Sequence, residues 1–232
     1  GKLQFLFTIQ DPAVGNHEII QQERSAEHLR AYTDAYGSDR VNYSFTESGI
    51  AFVIINNGGG DDPTNGEARR TWLREALLQS RSRPTIVVCH IPLLPLREKA
   101  ALAASFGFSS YADTDGGMLA LIEEFSDSVV AVLSGHLHLT GMRRKSGIAH
   151  VSLSGSASYP SDGAVVYEVF DDRIEATVVS LPEELAAAEP SLHGRPRHER
   201  DFIDRRHPTA VRYQRGNVSE RLFAIALRRP RY

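Results

Sequence analysis

Three short stretches of the chain carry side chains that could do chemistry together. Gly15-Asn16-His17-Glu18 follows a short extended segment. His90 follows an apolar run at 85–89. Gly135-His136-Leu137-His138 follows a second apolar run at 128–133. Each polar group stands just past the C-terminal end of a candidate strand. In open α/β sheets that edge is where ligands collect, so neighbouring strands would bring these side chains to one place. Neutral imidazole suits Zn, Fe, Mn or Ni, and an Asn carbonyl oxygen adds a hard donor. Two His separated by one residue can reach the same region from an extended loop, and Gly135 lets the backbone turn tightly there. A lone His is more often structural. The ordered set of Asn-His, strand-His and Gly-His-x-His is what points to a metal.

The elements that must position these groups are legible from periodicity. The spacing predicts a helix over 21–36, with Leu29, Tyr32 and Tyr36 on one side and Gly37 as its stop. An alternating strand at 41–46, a turn at 47–49 and a buried strand at 50–55 form an antiparallel hairpin. A Gly- and Asp-rich loop covers 56–65. An amphipathic helix follows at 67–79, with Trp72, Leu73, Ala76 and Leu77 inward. Strands are expected at 85–89, 128–133, 148–153, 164–170 and 174–179, the last two joined around Asp171-Asp172. Helices are expected at 97–105, 118–125 and 182–188. Helices and strands alternate through the middle and strands cluster late, an α/β or mixed-sheet pattern.

These motifs resemble the last three of the calcineurin-like metallophosphoesterases: G-N-H-[DE], then a His after a strand (here Val88-Cys89-His90-Ile91-Pro92), then G-H-x-H. The resemblance extends from Gly15 to about Val179. It implies a mixed α/β fold, a two-sheet sandwich flanked by helices. It also implies roles. Asn16, His90 and His136 would bind one metal and His138 the other. His17 would contact the phosphate and help protonate the leaving oxygen. The implied activity is hydrolysis of a phosphate monoester or diester by a hydroxide that two divalent metals activate. Mn, Fe or Zn are the expected metals, with Ni or Mg as further options. The partner would be a phosphorylated small molecule or macromolecule.

The family's D-x-H and G-D-x-x-[DR] motifs, which lie upstream of G-N-H-[DE], are not found here. The fourteen residues before Gly15 hold no His and one acid, Asp11, which is too close to Gly15 to serve as the bridging Asp. The chain begins with Gly1, and the expectation is that a longer protein supplies the missing ligands. The fold would then lack its first strand–helix unit. A degenerate, non-catalytic protein of the same fold, binding a ligand or partner, is the alternative.

Composition bounds the rest. Of 232 residues, 41% are hydrophobic, enough for one full core. No apolar run approaches the roughly 20 residues that span a bilayer. The single cysteine, Cys89, excludes an intrachain disulfide framework and leaves the compartment open. Residues 190–232 carry eleven Arg, no Lys and four acids, a net of +7, so the remainder of this −3 chain carries −10. A composition boundary therefore falls near Glu189, separating a phosphoesterase-like region at 1–189 from an Arg-rich extension at 190–232 that ends in an alternating strand at 221–227. The extension reads as a solvated face or an arm against the acidic body. Nucleic-acid binding through it is the alternative.

Other catalytic readings fail. Cys89 and His90 are adjacent in an extended segment and face opposite ways. There is no Gly-x-Ser-x-Gly elbow and no P-loop. Asp61-Asp62 reads as part of a solvated loop, and His150 as a core or near-surface residue. Arg143-Arg144-Lys145 suits a phosphate contact or the solvated turn of a hairpin.

Overall fold

The computed structural model describes residues 12–15, 25–57, 63–96, 117–137, 139–153, 162–180 and 215–227. Their chain order is α1 (Ser25–Tyr36), a single 3-10 turn (Ser38–Arg40), β1 (Tyr43–Glu47), β2 (Ile50–Ile55), α2 (Pro63–Ser80), β3 (Thr85–Cys89), α3 (Met118–Glu124), β4 (Val129–Ser134), β5 (Gly141–Lys145), β6 (Ile148–Ser152), β7 (Asp162–Val169), β8 (Arg173–Ser180), α4 (Val218–Arg221) and β9 (Leu222–Ala226). The helices expected at 97–105 and 182–188 lie outside the described residues, as does Asp61-Asp62.

The strands form two sheets, one of six strands in the order β1-β2-β3-β4-β6-β5 and one of three in the order β7-β8-β9. Strands β2, β3, β4 and β6 run parallel, and β1 and β5 flank them antiparallel. The parallel strands have the near-continuous apolar sequences that burial on both faces demands, Ile-Ala-Phe-Val-Ile-Ile in β2 and Thr-Ile-Val-Val-Cys in β3. One face of the large sheet packs under α2 and α3, with Leu73, Leu77, Leu121 and Ile122 against Val53, Val87 and Val132. The other face packs on the small sheet, with Ile86, Ala131 and Val151 against Ile174 and Ile225. This is the two-sheet sandwich flanked by helices that the resemblance implies.

Two tight hairpins use the same device. Ser48 and Gly49 both have positive φ between β1 and β2, and Ser146 and Gly147 repeat this between β5 and β6. Two-residue turns with both central residues in that region match the twist of the flanking strands.

The second hairpin corrects the reading of the basic run. Arg143, Arg144 and Lys145 lie on edge strand β5, not in a turn, and each side chain is tied to a different element. Arg143 donates to the Pro95 carbonyl at 3.0 Å. Arg144 donates to the Ala224 carbonyl on β9. Lys145 pairs with Glu123 of α3 at 3.1 Å. The run fastens the large sheet to the Pro95 loop, the second sheet and the helix layer.

The strand expected at 221–227 begins one residue later, because Asn217 and Glu220 form a reciprocal capping box that starts the short helix α4. Glu220 is buried, and its carboxylate also accepts from the Met142 N–H at 3.4 Å, tying α4 to β5. Strand β9 then pairs with β8 from Arg173↔Ala226 to Thr177↔Leu222.

Candidate functional site

The site is built where β3 and β4 end. These parallel neighbours are in register at Val88↔Leu133, so the residues that follow them emerge side by side. Just beyond the strands, the Gly135 N–H donates to the His90 carbonyl at 3.0 Å, which continues the pairing past the last ladder residues. The imidazoles of His90 and His136 meet with ring centroids 5.1 Å apart and an interplanar angle of 72°. Both side chains are half-buried.

The His136 backbone is held in an uncommon conformation. Its φ is 62°, in the left-handed region that a β-carbon disfavours. The Leu137 N–H donates to the Gly135 carbonyl at 2.6 Å, closing a γ-turn with His136 at its centre. The Gly135 carbonyl also accepts from the Ser152 hydroxyl at 3.1 Å, so β6 helps hold the turn. Strain of this kind costs about 1–3 kcal/mol and persists where the surroundings over-determine it. Here the Gly135 peptide is fixed from both sides, and the turn delivers the His136 ring to His90.

A second clamp holds His90. Asn57 follows β2, the other neighbour of β3, and is only 1% exposed. Its Oδ1 accepts from the His90 N–H and the Ile91 N–H, each at 2.9 Å, and its Nδ2 donates to the Ile91 carbonyl at 2.7 Å. The two accepted bonds fix which end of the carboxamide is oxygen. Sequence reasoning missed this residue. The signal that could have found it is its place, a polar amide at the C-terminal end of a buried parallel strand, which its inclusion in the Gly- and Asp-rich loop at 56–65 obscured.

Beside the paired imidazoles lies a cavity of about 330 Å³, lined among the described residues by Ala13, Val88, His90, Leu133, Gly135 and Tyr167 together with neighbouring apolar groups. It opens between the two sheets at the C-terminal ends of β3, β4 and β6. Burial pushes the Tyr167 phenol above its ordinary pKa, so it stays neutral. Ala13 reaches this cavity because the segment Pro12–Gly15 is tethered. The Pro12 carbonyl accepts from the hydroxyls of Tyr32 at 3.0 Å and Tyr43 at 2.9 Å, and Val14 is fully buried.

Of the residues singled out from sequence, His90 and His136 are brought together. Asn16, His17 and His138 lie outside the described residues, although Asn16 directly follows the tethered segment. Among the described residues, no group of three or more His, Cys, Asp or Glu could hold a metal ion. Cys89 is buried, with its thiol 3.4 Å from the Ile91 carbonyl, and acts as a small core residue. His150 is also a core residue, 3% exposed.

The chain superposes on a dimetal phosphatase from Danio rerio with a TM-score of 0.50 at 18% identity, covering 73% of this chain and 70% of that one. The chain shares its fold with a dimetal phosphatase. It is also similar to GAP50, the anchor in the inner membrane complex of Plasmodium, with a TM-score of 0.42 at 19% identity, over 60% of this chain and 49% of that one. No protein-family profile matches the chain, and no curated protein does. No helix among the described residues is long and apolar enough to cross a membrane.

The donors on this fold fit a borderline divalent cation in type. Two imidazoles converge at the end of adjacent parallel strands, and neutral imidazole is a ligand for such ions. Each ring is oriented by a backbone fixed through buried hydrogen bonds.

Proposed function

We propose that the chain is a metal-dependent phosphoesterase that hydrolyses a phosphate monoester or diester. The observation that carries this reading is the pairing of His90 with His136 at the ends of neighbouring parallel strands, on a fold shared with a dimetal phosphatase. In this reading Asn16, His90 and His136 hold one cation and His138 contributes to a second. Mn, Fe or Zn suits such donors best. When bound, a pair of divalent cations supplies Lewis acidity at the phosphoryl oxygens and a nucleophile at neutral pH.

The chain's own residues do the rest. The γ-turn fixes the direction of the His136 ring, and Asn57 fixes the start of the His90 loop. His17 contacts the phosphate and gives a proton to the leaving oxygen, a role worth 10²–10⁴-fold in rate. The cavity between the sheets lies on the same edge, and its lining is mostly apolar.

Hydrolysis of p-nitrophenyl phosphate and bis-p-nitrophenyl phosphate with added Mn²⁺ tests this. The 232-residue chain is compared with the longest natural reading frame, and His17→Ala and His136→Ala are made in whichever form is active. A loss of kcat by about 100-fold or more in both variants supports the assignment. No hydrolysis and no metal binding in either form would sink it, leaving a fold that binds a ligand or partner without catalysis.

A further inference from the structure

We propose that Asn57 is a positioning residue for the His90–His136 pair, acting by locking the backbone from which His90 projects; the proposal rests on the metal-site reading above. The carboxamide stands between β2 and the β3 exit loop and uses both of its ends. Its oxygen gathers two consecutive N–H groups, of His90 and Ile91, and its nitrogen closes a ring onto the Ile91 carbonyl. Those backbone groups lie past the end of β3 and have left the ladder to β2, whose last pair is Ile55↔Cys89. Without Asn57 the two N–H groups and the carbonyl would lose these three bonds. The loop would have to shift to recover them.

The lock extends to the second imidazole. The His90–Ile91 peptide, held at the Ile91 N–H by Asn57, accepts at the His90 carbonyl from the Gly135 N–H, and the Gly135 carbonyl closes the γ-turn under His136. Asn57, His90, Gly135 and His136 are therefore linked in one hydrogen-bonded series that passes through the Gly135 Cα. A shift at Asn57 moves both rings. The side chain is 1% exposed and touches neither imidazole through its own polar atoms, so it orients the donors without being one of them. No other side chain does this work as well. Asp has the acceptors and lacks the donor, and it would set a carboxylate oxygen against the Ile91 carbonyl.

The test uses the 232-residue chain with two readouts. The first is the nuclear Overhauser contact between the ring protons of His90 and His136, which reports the pairing itself. The second is the visible absorption of Co²⁺ titrated into the protein, which reports ligation by imidazole. The variants are Asn57→Ala, Asn57→Asp and, as a control for general destabilisation, Leu77→Ala in the helix–sheet core. In Asn57→Ala the ring contact should vanish and Co²⁺ affinity fall by 10-fold or more, the usual loss for an orienting partner. Asn57→Asp, which keeps two of the three bonds, should fall by less and decides the matter if the Ala variant does not fold. Leu77→Ala should melt at lower temperature and keep both signals. An unchanged ring contact and Co²⁺ affinity in the Asn57 variants would overturn the proposal, and so would an equal loss in Leu77→Ala. If neither the wild-type chain nor the longest natural reading frame takes up Co²⁺ while the ring contact is present, the metal reading alone is overturned, because the ring contact still reports on Asn57.

Discussion

The stability of this protein should depend on pH through a histidine that is remote from the candidate site. His150 sits in the middle of β6, on the face covered by α3, with 3% of its surface exposed. Among the described residues, neither ring nitrogen has a hydrogen-bond partner. Burial therefore opposes protonation and lowers its pKa from 6.5 to about 4; Glu123 on α3 pulls weakly the other way, and Lys145 and Arg143 on β5 add to the depression. Glu123 is itself committed. Burial opposes its charge, but the Ser146 hydroxyl and the Lys145 ammonium outweigh that and hold its pKa below the usual value. An unfolded chain takes up a proton at His150 near pH 6.5, and the folded one only near pH 4. Between those values the unfolded state binds more protons, so stability rises with pH. The contribution is fully present above pH 6.5 and is lost as pH falls toward 4. At about 1.4 kcal/mol per pH unit, the loss approaches about 3 kcal/mol. His150→Leu, similar in size, removes the titration and also removes two unpartnered polar atoms, so it should be more stable than wild type by about 1 kcal/mol at pH 7. Urea denaturation followed by circular dichroism from pH 4.5 to 8 measures both effects. The remaining histidines titrate alike in the two proteins and cancel in the difference. Wild-type and His150→Leu stabilities that run parallel across this range would refute the reasoning. The ring would then be hydrated or paired at neutral pH.

Other perturbations have defined outcomes. His136→Gly relieves the positive-φ strain at the γ-turn, so it should raise stability by about 1 kcal/mol in thermal melts while weakening Co²⁺ binding, which separates a strained functional residue from a structural one. Glu220→Ala removes one half of the capping box and the acceptor for the Met142 N–H, and should cost about 1–2 kcal/mol in urea unfolding. Leu77→Ala, at a fully buried position between α2 and the large sheet, should cost about 2–5 kcal/mol. Arg74→Ala breaks an exposed pair with Glu124 and should change the melting temperature hardly at all.

The sequence displayed the elements that obey one period and hid those whose identity depends on a neighbour. The runs at 85–89 and 128–133 are apolar because parallel strands are buried on both faces, and they are strands in the structure. Strand β5 has no such run. Its residues Met142 to Lys145 sit at the sheet's edge, and three successive cations find separate partners in α3, β9 and the Pro95 loop, none of them visible from local spacing. One clue was present. Glu47-Ser48-Gly49-Ile50 was legible as a hairpin, and Lys145-Ser146-Gly147-Ile148 repeats its pattern and its positive-φ turn.

The candidate site divides in the same way. His90 and His136 were legible because each follows a buried strand, and the parallel order β3-β4 makes residues at strand ends neighbours in space. Asn57 follows an equally buried strand in the same parallel set, so the rule that found the histidines applies to it without change. It was passed over because an amide is a weaker sign of chemistry than an imidazole. Its importance comes from hydrogen bonds to backbone 33 and 34 residues away, which no local pattern encodes. In the metal-site reading, the C-terminal edge of the parallel strands gathers two kinds of polar residue, those that would offer donors to a ligand and those that hold the donors still. A sequence distinguishes them only after the strand order is known. The order β2-β3-β4 puts Asn57, His90 and His136 in one row, with the positioning amide at one end and the paired rings at the other.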